Sequence, residues 1–287
     1  MSLVESAAAR LSEDPPGVVG SIGTVFSESA QRAAFEITSA RGVTLVAKAH
    51  LSRENYDREL IGWHTARQCG LSAPLFWYPY FKAEPPYVLT YARVEGEPAL
   101  SSADPDDDWR EAGLKLRVLH MVREPLDLPR FHRGGGTWLE SCQQRLVAEI
   151  RWGNSAGFLS DGAAESLLQS GLSSLDLDEE PRQTFIHGDL QPEHLLLRCP
   201  GGRGTVFLDF GDAALGDPAW DFVALSLYDP DRVAILLDGY RAMPTFVEHV
   251  ERVRLGYRLL RHLSAARWLT EHELDPQPDI LMALRLI

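Results

Sequence analysis

The alternation of apolar and polar positions divides the chain into a strand-patterned start and a helix-patterned remainder. Between Gly17 and His50, apolar residues recur at every second position in short runs, the period of a half-buried strand. Val18 to Phe26 reads as a strand interrupted by glycines. Ala33–Thr38 and Val43–Ala49 read as two more, joined by a hairpin turn over Ser39–Gly42. Residues 1–14 fit a short helix or a loose arm. After Glu54 the spacing is helical through Leu60, Ile61, Trp63 and Ala66, and Gly70 supplies the stop. Leu75–Tyr78 and Pro86–Tyr91 then read as an antiparallel pair, followed by a connector, Ala92–Pro98, that carries glycine and proline.

Beyond residue 100 the period is that of helices. Asp104, Asp106, Asp107 and Asp108 precede a run through Leu114, Leu116, Val118, Leu119 and Met121, where carboxylates complement a helix dipole. Gly134–Gly136 is a flexible connector. Thr137 and Glu140 have capping-box spacing, with Trp138, Cys142, Leu146 and Ile150 facing inward behind them. Ser160 and Asp161 open a helix reaching Leu175. Asp217-Pro218 opens another to Leu227, which Pro230 ends. Pro244 opens a long helix whose stripe is Phe246, Val250, Val253, Tyr257, Leu260 and Leu263.

Composition narrows the class. At 287 residues, about a quarter of them charged, the chain is long enough for one large domain or two lobes. No apolar run approaches the roughly 18 residues of a membrane span, and no basic region with an apolar core marks a signal peptide, so no membrane partner is expected. Cys69, Cys142 and Cys199 are odd in number and widely spaced, which suits a reducing cytoplasm and argues against structural zinc. The net charge of −13 disfavours nucleic acid as a partner. It suits a cationic small molecule, or simply solubility.

The chemistry concentrates between Phe185 and Asp212. An apolar entry leads into His187-Gly188-Asp189, and an apolar exit follows at Leu195–Leu197. A second apolar run, Thr205–Leu208, ends in Asp209-Phe210-Gly211. Two strand-loop segments each deliver an aspartate to a strand end, which is how a base and a metal-binding carboxylate are mounted.

His187-x-Asp189 followed by Asp209-Phe210-Gly211, with Gly216-Asp217-Pro218-Ala219-Trp220-Asp221 downstream, resembles the aminoglycoside phosphotransferase and choline kinase branch of the kinase superfamily. The resemblance implies a bilobal α+β fold of protein-kinase type. A β-rich nucleotide-binding lobe would span residues 1–95, and a larger, mainly helical lobe for catalysis and acceptor binding would span 96–287. It implies Asp189 as catalytic base, Asp209 as ligand of Mg²⁺, and ATP or GTP as phosphoryl donor. Where the family places asparagine as second metal ligand, this chain has His194. Lys48 would contact the nucleotide phosphates, held by Glu59 from the Asp57-Arg58-Glu59 run. The carbonyl of Ala92 and the N–H of Val94 would hold the adenine edge. Ser27 and Ser29 fall where a loop would cover the phosphates, without its glycines, and equally fit a polar turn. His187 would brace the catalytic loop, and Asp221 would support it by hydrogen bonds.

The activity implied is O-phosphorylation of a small, cationic acceptor, an aminoglycoside-type or other antibiotic. A metabolic kinase for choline, a sugar or an amino-alcohol is the alternative. A nucleotide-binding pseudokinase is a third reading, prompted by His194 and the glycine-poor phosphate loop.

Overall fold

The computed structural model describes residues 2–13, 20–29, 31–71, 75–77, 84–99, 106–122, 136–199, 201 and 204–287. Parts of the expected first strand (Val18, Val19), of the segment after Leu71 and of the glycine connector (Gly134, Gly135) lie outside them. The chain forms two compact units. One holds the described residues up to 99 together with Glu193–Ala213; the other holds those from 106 to Pro192 and Ala214–Ile287.

The first unit is built on a five-stranded antiparallel sheet. Its strands are β1 (Ser21–Glu28), β2 (Arg32–Thr38), β3 (Thr44–His50), β4 (Leu75–Trp77) and β5 (Tyr87–Ala92), in the order β1-β2-β3-β5-β4. Strand periodicity decides what each face does. Phe35 and Ile37 of β2, and Leu45, Ala47 and Ala49 of β3, pack against Val4, Ala7, Ala8 and Leu11 of helix α1 (Leu3–Glu13). The N-terminal arm is therefore a helix, and it covers the sheet. Lys48 has the opposite parity to Ala47 and Ala49. Its strand is followed by helix α2 (Arg53–Gln68), whose N-cap Ser52 accepts a hydrogen bond from the Asn55 N–H. A three-stranded sheet completes the unit: β6 (Glu97–Pro98), β8 (Leu195–Cys199) and β9 (Gly204–Phe207). Leu196, Cys199 and Val206 form its small core, with Val94 and Leu208 packed against it.

Among the described residues, the regular structure of the second unit is helical apart from β7 (Thr184–Ile186), which pairs with β10 (Ala214–Gly216). Its helices are α3 (Asp106–His120), α4 (Trp138–Ser155), α5 (Asp161–Ser174), α6 (Ala219–Ser226), α7 (Pro230–Tyr240), α8 (Pro244–Glu271) and α9 (Gln277–Leu284). The capping box on Thr137 and Glu140 is formed, and Trp138, Cys142, Leu146 and Ile150 are buried. Helix α6 stops at Ser226, short of Pro230, which opens the next helix instead of ending this one. Asp229 caps α7 by accepting from the Arg232 N–H, and Pro230 occupies the first turn, where its missing N–H costs nothing. Helix α8 is the spine of this unit, packing on α4, α5, α6 and α9, with Val250, Val253, Tyr257, Leu260 and Leu263 buried. Among the described residues no helix is long and apolar enough to cross a membrane.

Candidate active site

In the second unit, β7 is buried along its whole length and delivers His187-Gly188-Asp189. Gly188 has φ +83°, a left-handed conformation that suits glycine alone among common residues. The loop is pinned from α6, every residue of which is buried. Asp221 accepts from the His187 N–H at 2.8 Å and the Gly188 N–H at 2.9 Å. It also lies 3.0 Å from His120 Nε2. With Asp221 ionised, Nε2–H donates to it, and His120 Nδ1 accepts from the Tyr240 hydroxyl at 3.1 Å. Burial works to raise the Asp221 pKa, but the hydrogen bonds from His120 and the His187 N–H outweigh it and hold the group below its ordinary value. Trp220 Nε1–H donates to the Gly188 carbonyl at 2.7 Å. Asp221 thus supports the loop by hydrogen bonds as expected, through the backbone N–H groups of His187 and Gly188.

Asp189 itself is a half-buried carboxylate gripped by two side chains. Gln191 Nε2–H donates to its two oxygens at 2.8 and 2.9 Å, and Arg261 of α8 donates to Oδ1. Tyr228 in turn donates to Gln191 Oε1 at 2.8 Å. Bonds of this kind fix the direction of its oxygens.

In the first unit, Lys48 Nζ lies 2.7 Å from Glu59 Oε1 and 2.8 Å from Asp209 Oδ1. Burial alone would lower the lysine pKa. The carboxylates of Asp209 and Glu59 reverse that, and the ammonium is held above its ordinary value. Burial likewise works to raise Glu59, and Lys48 brings it below the ordinary carboxylate range. Asp209 is driven far below that range in the same way, by Lys48 first and His194 next. His50, two positions after Lys48 on the same face, places Nε2 3.1 Å from Glu59 Oε2. Asp209 has φ +62°, sparsely populated by residues other than glycine and tolerated best by Asn and Asp. Helix α2 approaches its loop at Gly62, where a Cβ would come within 2.8 Å of Ala213 Cβ and 3.0 Å of Phe210 Cβ.

His194 ends a short 3-10 turn (Pro192–His194) and places Nε2 3.6 Å from Asp209 Oδ2. The donor set suits a divalent cation of magnesium type. Asp209 is an ionised hard-oxygen donor with 30% of its side chain exposed. One such carboxylate is what a cation that keeps waters and phosphate oxygens requires. The His194 nitrogen is the softer donor of the two.

Of the other expected residues, Ser27 is exposed in β1. The Ser29 hydroxyl serves the hairpin: it accepts from the Gln31 and Arg32 N–H groups and donates to the Arg32 carbonyl. Ala92 is the last residue of β5, opposite Leu45. Val94 is partly buried on the small core. His50, Gln191, Tyr228, Arg261 and His120 join the site without having been marked by any motif. His50, by its parity with Lys48, and Gln191, two residues after Asp189, carry a local signal; the others do not.

Residues 28–267 match the phosphotransferase enzyme family, and the chain belongs to it. Its fold is shared with the GDP complex of wild-type aminoglycoside 2'-phosphotransferase-IIIa, at 17% identity and a TM-score of 0.71, over 99% of this chain and 98% of that one. A choline/ethanolamine kinase family protein from Mesorhizobium loti is similar at 17% identity and a TM-score of 0.69, over 99% and 94% of the two chains. Macrolide 2'-phosphotransferase type I is similar at 18% identity and a TM-score of 0.65, over 98% and 95%. These likenesses are of fold, and they make it α+β and kinase-like, as the motifs implied. An uncharacterised Bacillus subtilis (strain 168) protein, YcbJ, is 35% identical over 80 residues, 26% of this chain and 26% of its own length. The chain thus spans about a quarter of the curated relative it matches.

Proposed function

We propose that this protein transfers the γ-phosphoryl group of ATP or GTP to a hydroxyl of a small molecule. The observation that carries the reading is the Lys48–Glu59–Asp209 cluster, a buried cation between two ionised carboxylates on a strand, a helix and a loop. Lys48 neutralises phosphate charge, and Glu59 and His50 keep its ammonium in place. Asp209, with His194 beside it, would hold Mg²⁺, which when bound supplies positive charge to the nucleotide phosphates. Ala92 and Val94 offer backbone groups to the adenine edge, and Ser27 and Ser29 lie on the hairpin expected over the phosphates. In this reading residues 1–95 bind nucleotide, and 96–287 carry the base and the acceptor surface.

Asp189 directs the acceptor hydroxyl and takes its proton as the new O–P bond forms and the bond to the β-phosphate oxygen breaks. Gln191 and Arg261 fix the direction of its oxygens, which suits a loose transition state catalysed mainly by positioning. The fold relatives include aminoglycoside and macrolide phosphotransferases and a choline/ethanolamine kinase family protein, so hydroxylated antibiotics and small metabolic alcohols both belong in the test.

The experiment is a screen for acceptor-dependent phosphorylation with ATP and GTP, read by product mass, over aminoglycosides, macrolides, choline, sugars and hydroxy acids. With an acceptor in hand, Asp189→Asn should lower kcat by about 10²–10⁴-fold with nucleotide binding kept. Turnover near the parent value in that variant would remove Asp189 from the chemistry. Tight nucleotide binding without any phosphorylated product would favour the pseudokinase reading.

A further inference from the structure

The two side chains that grip Asp189 hold it with unequal strength, and the weaker one lies where a substrate hydroxyl must arrive. Gln191 Nε2 is 2.8 Å from Asp189 Oδ1 and 2.9 Å from Oδ2. A donor almost equidistant from two carboxylate oxygens sits between them and uses a lone pair of each. A hydroxyl that gives its proton to this carboxylate has to come within about 2.6–3.2 Å of one of the same oxygens. Arg261 bonds Oδ1 with charge on both partners, and its guanidinium lies over the Trp220 ring, 5.9 Å from the centroid. The Gln191 bonds carry charge on the carboxylate alone, so Gln191 is the group that yields. Its backbone stays in place, because Leu190 and Pro192 on either side are buried. Its amide is tethered at the other end, where Tyr228 donates to Oε1 at 2.8 Å.

We propose that the Gln191 amide is a displaceable cover on the base, and that it selects an acceptor whose reacting hydroxyl has a second oxygen on the neighbouring carbon. The proposal rests on the reading of Asp189 as the acceptor base and narrows its substrate to vicinal diols, the pattern that sugars and polyols carry. When the reacting hydroxyl takes one Asp189 oxygen, the amide gives up its hold there. Arg261 keeps Oδ1, so the carboxylate keeps its direction. Tyr228 keeps Gln191 Oε1, so the amide stays beside the substrate with an N–H to be met. An oxygen on the adjacent carbon stands next to the reacting one, within reach of that N–H. The exchange then conserves the number of hydrogen bonds. An acceptor with an isolated hydroxyl, such as choline, offers no second oxygen, and its quaternary ammonium cannot accept. It would leave a partly buried donor unmet, which costs more than the bond itself contributes.

The test uses the whole protein and two cyclohexanediols, the isomer with hydroxyls on neighbouring carbons and the isomer with hydroxyls opposite each other. Choline serves as the isolated hydroxyl. Binding is followed by the NMR signal of the Gln191 side-chain amide, which needs no turnover, and phosphorylation by product mass with ATP and GTP. The neighbouring isomer should bind about tenfold more tightly than the opposed one and shift the amide signal more. Gln191→Leu keeps the bulk and removes both donors; measured by titration of the Tyr228 ring signals, it should bring the two isomers within about twofold. Tyr228→Phe, at a position 42% exposed, removes only the tether and should leave an intermediate preference. Equal affinity of the two isomers in the parent, or binding of neither, would overturn the proposal. So would a preference that survives Gln191→Leu in a variant with the parent's urea midpoint, or choline binding as tightly as the neighbouring isomer. If Asp189→Asn turns over like the parent while the preference is present in the parent and lost in Gln191→Leu, the base reading falls and the selection by Gln191 stands.

Discussion

Asp221→Asn isolates one charge beneath the catalytic loop. The wild-type carboxylate accepts three hydrogen bonds, from the His187 and Gly188 N–H groups and from His120 Nε2–H. Asparagine keeps the size and one acceptor. If its oxygen takes the Oδ2 position, the His187 and His120 bonds survive as neutral ones, each weaker by about 1 kcal/mol. The amide NH₂ then faces the Gly188 N–H, and the lost charge-assisted bond costs about 1.5–3 kcal/mol. Relief of a buried charge offsets part of the total, and about 3 kcal/mol remains, a large share of a typical 5–15 kcal/mol stability. The readout is amide exchange at His187 and Gly188, where protection should fall about 10²-fold, with a lower urea midpoint at unchanged m. Protection within about threefold of the parent at both amides would refute the account, since the bonds would then not depend on the charge.

Glu59, Asp209 and Asp221 all have pKa values held below their ordinary ones. They bind fewer protons folded than unfolded, so their contribution to stability is complete above the unfolded values of about 4 and drains away as pH falls below them. The urea midpoint should therefore decline from about pH 5 downward, and Lys48→Met, which removes the cation lowering two of the three, should flatten that limb; an unchanged slope would contradict the assignment. His194→Asn should keep the fold and keep or raise turnover at limiting Mg²⁺, with the difference closing at saturation and Mn²⁺ serving the parent comparatively well. A folded but inactive variant would show that His194 has a positive role of its own.

The parts of the molecule legible in the sequence were those whose chemistry is written locally. The period-two runs gave the strands of the first unit, and His187-Gly188-Asp189 and Asp209-Phe210-Gly211 announced their loops. Lys48 and Glu59 meet as expected because an alternating strand and a capped helix leave little freedom in where they point. Helix α7 is hard to read because Pro230 has the look of a terminator for the helix before it, although Asp229 has the character of a cap. Helix α9 has eight residues and proline near its start, too little periodic signal to read. Arg261 was out of reach. Nothing local distinguishes it from the other arginines of α8, and its partner Asp189 is remote in sequence. The hydroxyl of Ser29 shows the reverse limit. A serine near a phosphate loop and a serine holding a turn look the same until the hydrogen bonds are seen.

The grouping of Glu193–Ala213 with the first unit imposes an order on biosynthesis. A chain leaving the ribosome releases α1 and β1 to β5 early, and these can close their own sheet. Strand β6 has no such partner nearby: Glu97 pairs with Leu197, and Pro98 with Leu196. Until the ribosome has released β8 and β9, Val94 lacks the Leu196, Cys199 and Val206 side chains it packs on, and β6 remains an open edge. Unpaired edges and uncovered apolar residues are what nascent chains aggregate through. Asp209, the third member of the Lys48 cluster, arrives in the same late stretch. The nascent protein thus passes through a long interval in which its first-made unit is folded in part, exposed at one edge and without its metal-site carboxylate.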